Sequence, residues 1–332
     1  MLLDAALPPV PLLMVPEIAK EAERLGFDTL WSTETMHDPF LPSATAAGHT
    51  HQLKFGTAIA VSFARSPTTM AYTAWDLAQA SNGRFCLGLG TQVKAHIERR
   101  FGMPWPDSPI TKLRDQIAAM RALWRTWQTG EKLNFRGDYY KLTLMSPFFN
   151  PGPIDHPHIP IYIAGVNTGM AQLTGEVADG FLVHPFHSPE YLKEVILPAI
   201  EKGAHNAGRD KKSISISVTA FTISDPSQRE FVRQQIAFYA STPSYRPVMA
   251  LHGWEKTAEG LSASAARGKW EEIPGMITDE MLEIFATIAV SDELPAALKN
   301  RYTGIADRLS LYSPFAPDEV SVFWKNFVKA WK

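Results

Sequence analysis

Cysteine is almost missing from these 332 residues: Cys86 stands alone, so neither an intrachain disulfide nor a cysteine-based zinc site can form. Charge of one sign is missing too. Thirty-two Lys and Arg against 34 Asp and Glu leave a net charge of -2, which gives no pull toward nucleic acid or an acidic membrane surface. There is no long apolar run. The opening stretch MLLDAALPPVPLLMVPEIAK has no positive charge before Lys20 and is broken by Pro8, Pro9, Pro11 and Pro16, which argues against a signal peptide or membrane helix and makes the cytoplasm the default. Internal repeats and low-complexity segments are absent as well. What remains is 45% hydrophobic and 20% charged, the composition of a soluble globular protein with a large core.

The stretch from Ile159 to Phe186 orders the rest. Ile159-Pro-Ile-Tyr-Ile-Ala164 reads as a buried strand, Gly165-Val-Asn-Thr-Gly169 as a small polar turn, Met170, Leu173 and Val177 as a helix, and Gly180-Phe-Leu-Val-His184 as a second strand. This is one βαβ unit with parallel strands and a right-handed connection. Asn167 or Thr168 can cap the helix, and the free N–H groups of its first turn attract anions, so the turn is a candidate phosphate site.

The same alternation runs through the chain. Strands are predicted at Leu2–Leu7, Phe27–Glu34, Leu53–Ser62, Arg84–Gly90, Ile159–Ala164, Gly180–His184, Ser213–Thr222 and Arg308–Tyr312. Helices lie between them. One ends at Gly26, another spans Pro67 to Ala80, and a long one carries the stripe Leu113, Ile117, Met120, Trp124, Trp127, whose tryptophans belong to the core. A further helix fills Glu190 to Ala204, and one from Val320 to Trp331 closes the chain. Residues 130–158 read as an excursion. The tract 226–301 is interrupted helix, with a lid-like insertion at 241–280. Eight strands alternating with helices and no break in composition indicate a single (β/α)8 TIM barrel with insertion segments at the C-terminal face.

In such a barrel the chemistry lies where the strands end. That rule selects Glu34, Thr35, His37 and Asp38 after strand two; Ser62 and Arg65 after strand three; Thr91, Lys94 and His96 after strand four; the turn Gly165, Val166, Asn167, Thr168, Gly169; and His184 and His187 after strand six. It assigns the pairs His49/His51 and His156/His158 to the opposite face. A barrel metallohydrolase would want a histidine pair after strand one, where Leu7, Pro8 and Pro9 stand, so no metal is expected. Gly88-Leu-Gly90 lacks a third glycine and a following helix start, so it reads as close packing and not as a dinucleotide fingerprint. Lys94, His96, Arg99 and Arg100 make a second anion-favouring feature on the same rim as the 165–169 turn.

Phe27-Asp-Thr-Leu-Trp31, Gly56-Thr-Ala-Ile59 with Arg65-Ser-Pro67, Asn82-Gly-Arg-Phe-Cys-Leu-Gly-Leu-Gly90, Pro160-Ile-Tyr-Ile-Ala164 and Gly175-Glu-Val-Ala-Asp-Gly180 resemble, in order and spacing, the bacterial-luciferase-like monooxygenase family, and within it the deazaflavin (coenzyme F420)-dependent oxidoreductases. The resemblance covers residues 1–230 well and the last third loosely. It implies a barrel that binds coenzyme F420, or alternatively FMN, with the phosphate on Gly165 to Gly169. A bulge in strand three carries a non-proline cis peptide, matching Ala58–Ile59 here, under the ring. It further implies Thr35, Thr91 and His96 as coenzyme contacts, His37, Glu34 or His184 as the group that handles the proton, a small-molecule substrate and a homodimer. Sugar-phosphate dehydrogenases of this branch carry Asp-His where this chain has Glu34-Thr35, and Gly-Glu where it has Gln92-Val93, which points away from that reaction. The expected activity is hydride transfer between F420 and a small organic substrate. The alternatives are an FMN-dependent monooxygenase using reduced flavin and O2, and a flavin- or lipid-binding barrel without turnover.

Overall fold

The computed structural model describes residues 1–316 and 321–332. In chain order the strands are β1 (Leu2–Ala6), β2 (Thr29–Ser32), β3 (Lys54–Thr57), β4 (Ala60–Val61), β5 (Phe85–Gly90), β6 (Phe135–Arg136), β7 (Lys141–Leu142), β8 (Ile161–Gly165), β9 (Gly180–Val183), β10 (Ser215–Ile223), β11 (Ala286–Ile288) and β12 (Arg308–Leu311). The helices are α1 (Val15–Leu25), α2 (Leu41–Ala47), α3 (Pro67–Ala80), α4 (Lys94–Arg99), α5 (Pro109–Thr129), α6 (Thr168–Val177), α7 (Pro189–Tyr191), α8 (Leu197–Asn206), α9 (Gln228–Ala240), α10 (Arg246–Ala250), α11 (Glu255–Ala266), α12 (Asp279–Phe285), α13 (Leu294–Tyr302) and α14 (Ser321–Trp331).

Among the described residues β1, β2, β3, β5, β8, β9, β10 and β12 pair in parallel in that order, and β12 returns to β1, so the sheet closes into an eight-stranded barrel. This is the predicted (β/α)8 fold. Sequence punctuation sets many boundaries. Gly26 ends α1 in the left-handed region at φ 95°, while Ser66 and Ser108 accept the Thr69 and Thr111 amides at the starts of α3 and α5, each followed by a proline. The α5 stripe is buried as its period requires.

Several expectations need correction. The third strand is two strands, β3 and β4, broken at the Ala58–Ile59 peptide, which is cis as the resemblance implied. The 130–158 excursion contains the antiparallel β6–β7 hairpin. The helix expected from Glu190 opens with α7 and a π-helical stretch, Leu192–Ile196, where Pro198 offers no N–H to Glu194. Within the tract read as helical, Ala286–Ile288 is a strand, β11, which pairs with the long C-terminal end of β10. The predicted start of the closing helix, Val320, lies outside the described residues.

Inside the barrel, side chains of one parity meet. Trp31, Cys86, Tyr162 and Leu182 pack together, Trp31 edge-on to Tyr162 with ring centroids 5.6 Å apart. They fit because two strand glycines face them: a Cβ at Gly56 would lie 2.2 Å from Trp31, and one at Gly180 2.1 Å from Tyr162. Burial pushes the Cys86 thiol up to about 11, so it is an inert core group. Below this layer Arg308 donates to both oxygens of Asp4 at 2.8 and 2.6 Å and to Thr29, while the Trp31 indole donates to Asp4 at 2.9 Å. The layer fills the middle of the barrel, so a ligand that enters between the strand ends would rest above it at the C-terminal mouth.

Candidate active site at the barrel mouth

Alternation along each strand fixes what lines the mouth. On one side, Ala58, Ile59 and Ala164 lie over the Trp31 layer. Gly90 makes room for Ile59, since a Cβ there would sit 2.8 Å from its side chain. Two bonds hold this bulge: the Ala58 amide donates to Ser32 O at 2.7 Å, and the Val61 amide donates to Glu34 Oε2 at 2.7 Å. Arg65 donates to the same Glu34 oxygen at 2.7 Å and to Asp38 at 3.2 Å, with its guanidinium over the Phe40 ring. Glu34 thus ties the end of β2 to the bulge, which makes it a strut first and a weaker candidate for moving protons. Both partners were among the residues selected at strand ends; their mutual engagement could not be read from spacing.

The 165–169 turn also differs in detail from expectation. Asn167 is the N-cap by backbone conformation, but its side chain does not cap. Its Nδ2 reaches Ser244 O at 2.9 Å instead, tying the turn to the 241–280 segment, and its Oδ1 is buried without a partner. The glycines serve packing: a Cβ at Gly165 would lie 2.6 Å from Met170 Cβ, and one at Gly169 2.6 Å from Ile110. Val166 is buried, and its carbonyl accepts from Tyr191 at 3.1 Å. What faces outward is the first turn of α6, whose Thr168, Gly169 and Met170 amides precede the first intrahelical bond, Ala171 N–H to Asn167 O.

His37, His96 and Thr35 are exposed. His37 makes no hydrogen bond within the described residues, and Asp38, its neighbour, caps the Phe40 and Leu41 amides instead. Thr35 is held through its carbonyl by Arg100 at 2.7 Å, and Thr91 Oγ1 donates to Gln92 O at 3.2 Å. The basic cluster on α4 is solvated, Lys94 approaching Glu98 at 3.8 Å.

His184 is different. It follows β9 in the inward parity of Leu182, and its ring lies between Tyr239 (4.6 Å, perpendicular) and Tyr245 (4.7 Å). Burial, with a smaller push from His187, holds it down to about 3, so it is uncharged at neutral pH. The Phe186 amide donates to its Nδ1 at 3.1 Å, which leaves the ring proton on Nε2. Tyr239 bonds Tyr312 at 2.9 Å, and Tyr312 donates to Gln235 at 2.8 Å, so the Tyr239 hydroxyl is the donor in the first of these. Phe221 packs on Tyr312 at 4.6 Å. The three tyrosines were not selected from sequence. Tyr312 could have been, because the strand-end rule applied to strand eight gives it; Tyr239 and Tyr245 reach the mouth only through tertiary packing of the interrupted helical tract.

His187 is buried behind this wall. Its Nδ1 donates to His184 O at 2.9 Å and its Nε2 accepts from Tyr302 at 3.0 Å, and burial holds it down to about 4. Both histidines have folded-state values below the ordinary one of about 6.5, so the unfolded chain takes up their protons first. Their contribution is complete above about pH 6.5 and is lost as pH falls toward 4, by up to about 1.4 kcal/mol per pH unit for each. The unfolding temperature should therefore drop steeply between pH 6.5 and 4, and His187→Gln should flatten that slope; a slope unchanged by the substitution would remove His187 from the explanation.

No helix of the described residues is long and apolar enough to cross a membrane, and none of their His, Cys, Asp and Glu side chains gather into a group that could hold a metal ion. A closed parallel barrel with its polar groups gathered at the strand ends is the layout of a (β/α)8 enzyme. The chain belongs to the luciferase-like monooxygenase family, whose model matches residues 6–308. It is 43% identical over 313 residues, 92% of each chain, to an uncharacterised protein of Mycobacterium tuberculosis. It is 28% identical over 318 residues, 94% of each chain, to the 5,10-methylenetetrahydromethanopterin reductase of Methanolobus tindarius. Its fold matches the coenzyme F420 dependent tetrahydromethanopterin reductase of Methanopyrus kandleri with a TM-score of 0.79 at 21% identity, covering 99% of this chain and 96% of that one.

Proposed function

We propose that this protein is an F420-dependent oxidoreductase that transfers a hydride between the deazaflavin and a small organic substrate at the barrel mouth. The observation that carries this reading is the pairing of a floor of small and apolar residues (Ala58, Ile59, Gly90, Ala164) with the amides of Thr168, Gly169 and Met170 on the same rim, which have no hydrogen-bond partner among the described residues. A broad flat ring needs such a floor, and a phosphate needs such donors. The name of the Methanopyrus kandleri reductase whose fold it matches, coenzyme F420 dependent, agrees with a deazaflavin.

In this reading the bulge at Ala58 and Ile59 supports the ring, Thr91, His96 and Thr35 contact the ring or its side chain, and Gly165, Val166, Asn167, Thr168 and Gly169 receive the phosphate. The coenzyme, when bound, supplies the hydride chemistry. The chain's own part is to orient the two reactants and manage the proton. Of His37, Glu34 and His184, we favour His184, as a group that holds its proton on Nε2 and offers it to the substrate in a hydrogen bond, because its ring is enclosed at the mouth whereas His37 is exposed and Glu34 is engaged by Val61 and Arg65. Ser244 and Tyr245, one bonded to Asn167 and the other packed on His184, make residues 241–280 our candidate lid. On family grounds we take the enzyme to be a homodimer, and by default a cytoplasmic one.

A fluorescence titration of the purified protein with F420, and in parallel with FMN, tests the proposal. Tight F420 binding with FMN ignored is the expected result. Preference for FMN would replace it with a monooxygenase fed reduced flavin, and binding of neither would reduce the 165–169 turn to a helix start.

A further inference from the structure

We propose that the wall formed by His184, Tyr239, Tyr245 and Tyr312 is the substrate subsite, and that it takes an uncharged, flat substrate whose hydrogen-bond acceptor is met by the Nε2–H of His184. This deepens the oxidoreductase reading and rests on it, since it supplies the substrate class for the same mouth.

Three features of the wall support it. It stands across the mouth from the small-residue floor: His184 ends β9, Phe221 belongs to β10 and Tyr312 ends β12, all in the inward parity fixed by Leu182 and by the Ser217–Arg308 register. It is also free of charge. The hydrogen bonds of these four rings reach the Phe186 amide, one another and Gln235, and within the described residues none reaches a Lys, Arg, Asp or Glu side chain. His184 stays neutral at physiological pH, and burial pushes Tyr245 up to about 12 and raises Tyr239 and Tyr312 as well. An anionic group set against this wall would lose its hydration and gain no cation in exchange. Finally, the donor is fixed. Nδ1 is occupied by a backbone amide, so the imidazole cannot turn its other nitrogen to the ligand without breaking that bond, and Nε2 has no hydrogen-bond partner of its own within the described residues. The flanking aromatic rings favour a flat ligand by stacking or edge contact. His184 keeps its proton in this role; it orients the substrate atom and stabilises negative charge that develops on it.

The test uses the full-length protein labelled with 15N at histidine and two probes that share a ring, acetophenone and benzoate. Proton–nitrogen correlation spectra, with His184 assigned from the His184→Leu variant, should show the Nε2–H form. Acetophenone should shift that signal, and benzoate at the same concentrations should not. His184→Leu should weaken acetophenone binding about tenfold, the loss of one neutral hydrogen bond, while F420 affinity stays within about twofold. An Nδ1–H form, or benzoate shifting the signal as readily as acetophenone, would overturn the proposal. So would a variant that loses F420 and acetophenone together, since the ring would then serve the coenzyme. Should the wild-type protein ignore F420 yet bind acetophenone at His184, the coenzyme assignment fails and the subsite stands.

Discussion

Asp4→Ala should lower the stability of this protein by about 3–5 kcal/mol, the cost of breaking a buried ion pair from one side. Asp4 and Arg308 are 1% and 5% exposed, and the guanidinium spans both carboxylate oxygens. Burial raises the Asp4 carboxyl against the opposing pull of Arg308, and the carboxylate keeps Arg308 firmly charged. Without Asp4, that charge would stay inside the barrel with Thr29 as its remaining side-chain hydrogen-bond partner among the described residues. Truncating Asp4 also strips the Trp31 indole of its acceptor. A double substitution, Asp4→Leu with Arg308→Met, should recover much of the loss, because apolar replacements of buried pairs are often close to neutral. Chemical unfolding of the two variants beside the parent measures this; a loss below about 1 kcal/mol in Asp4→Ala would mean that water reaches the pair.

Gly203→Ala should act on the site from outside the barrel. Helices α6 and α8 touch backbone to backbone: a Cβ at Gly203 would lie 2.0 Å from Gln172 O, and one at Gly175 2.1 Å from Ile200 O. No rotamer change relieves contacts with main-chain atoms, so the helices must separate. The expected cost is about 1–3 kcal/mol of stability. Because α6 carries the Thr168 to Met170 amides in its first turn, one turn before Gln172, F420 affinity should fall about tenfold or more with it, a change of about 1.4 kcal/mol. Gly48→Ala is the control: its Cβ would meet nothing within 4 Å, and its backbone suits any residue at φ -78°. Equal affinity in the two variants would disconnect the helix contact from the turn.

The barrel was legible because its two periods differ so clearly. Runs such as Phe85–Gly90 and Ile161–Ile163 are buried on both faces, whereas the α5 stripe recurs every three or four residues, and their alternation leaves few topologies. The rim residues followed from the rule about strand ends. Which of them are engaged with one another did not, since Glu34, Val61 and Arg65 meet across 27 and 31 residues. Asn167 looked like a cap because Asn often is one; its side chain is diverted by Ser244, 77 residues away. The strand at Ala286–Ile288 was invisible for a similar reason. Its sequence has no strand period to detect, and it exists because β10 runs on to Ile223 and offers an open edge. The sequence specified local elements and their ends, while the site is made of encounters between them.

The pairing of β1 with β12 has a consequence during synthesis. Asp4 and Arg308 are separated by 304 residues, and Phe315 donates its amide to Ala6 O only after nearly the whole chain exists. At elongation speeds of about 5–20 residues per second, the first strand waits roughly 15–60 s on the ribosome with one edge unpaired and its carboxylate without a counter-ion. Early folding can assemble α1, β2, β3 and β5, but it cannot close the barrel or complete the wall that ends in Tyr312. The nascent chain therefore keeps an open edge at β1 until β12 has been made, and a chaperone that holds the N-terminal half would matter most over that interval.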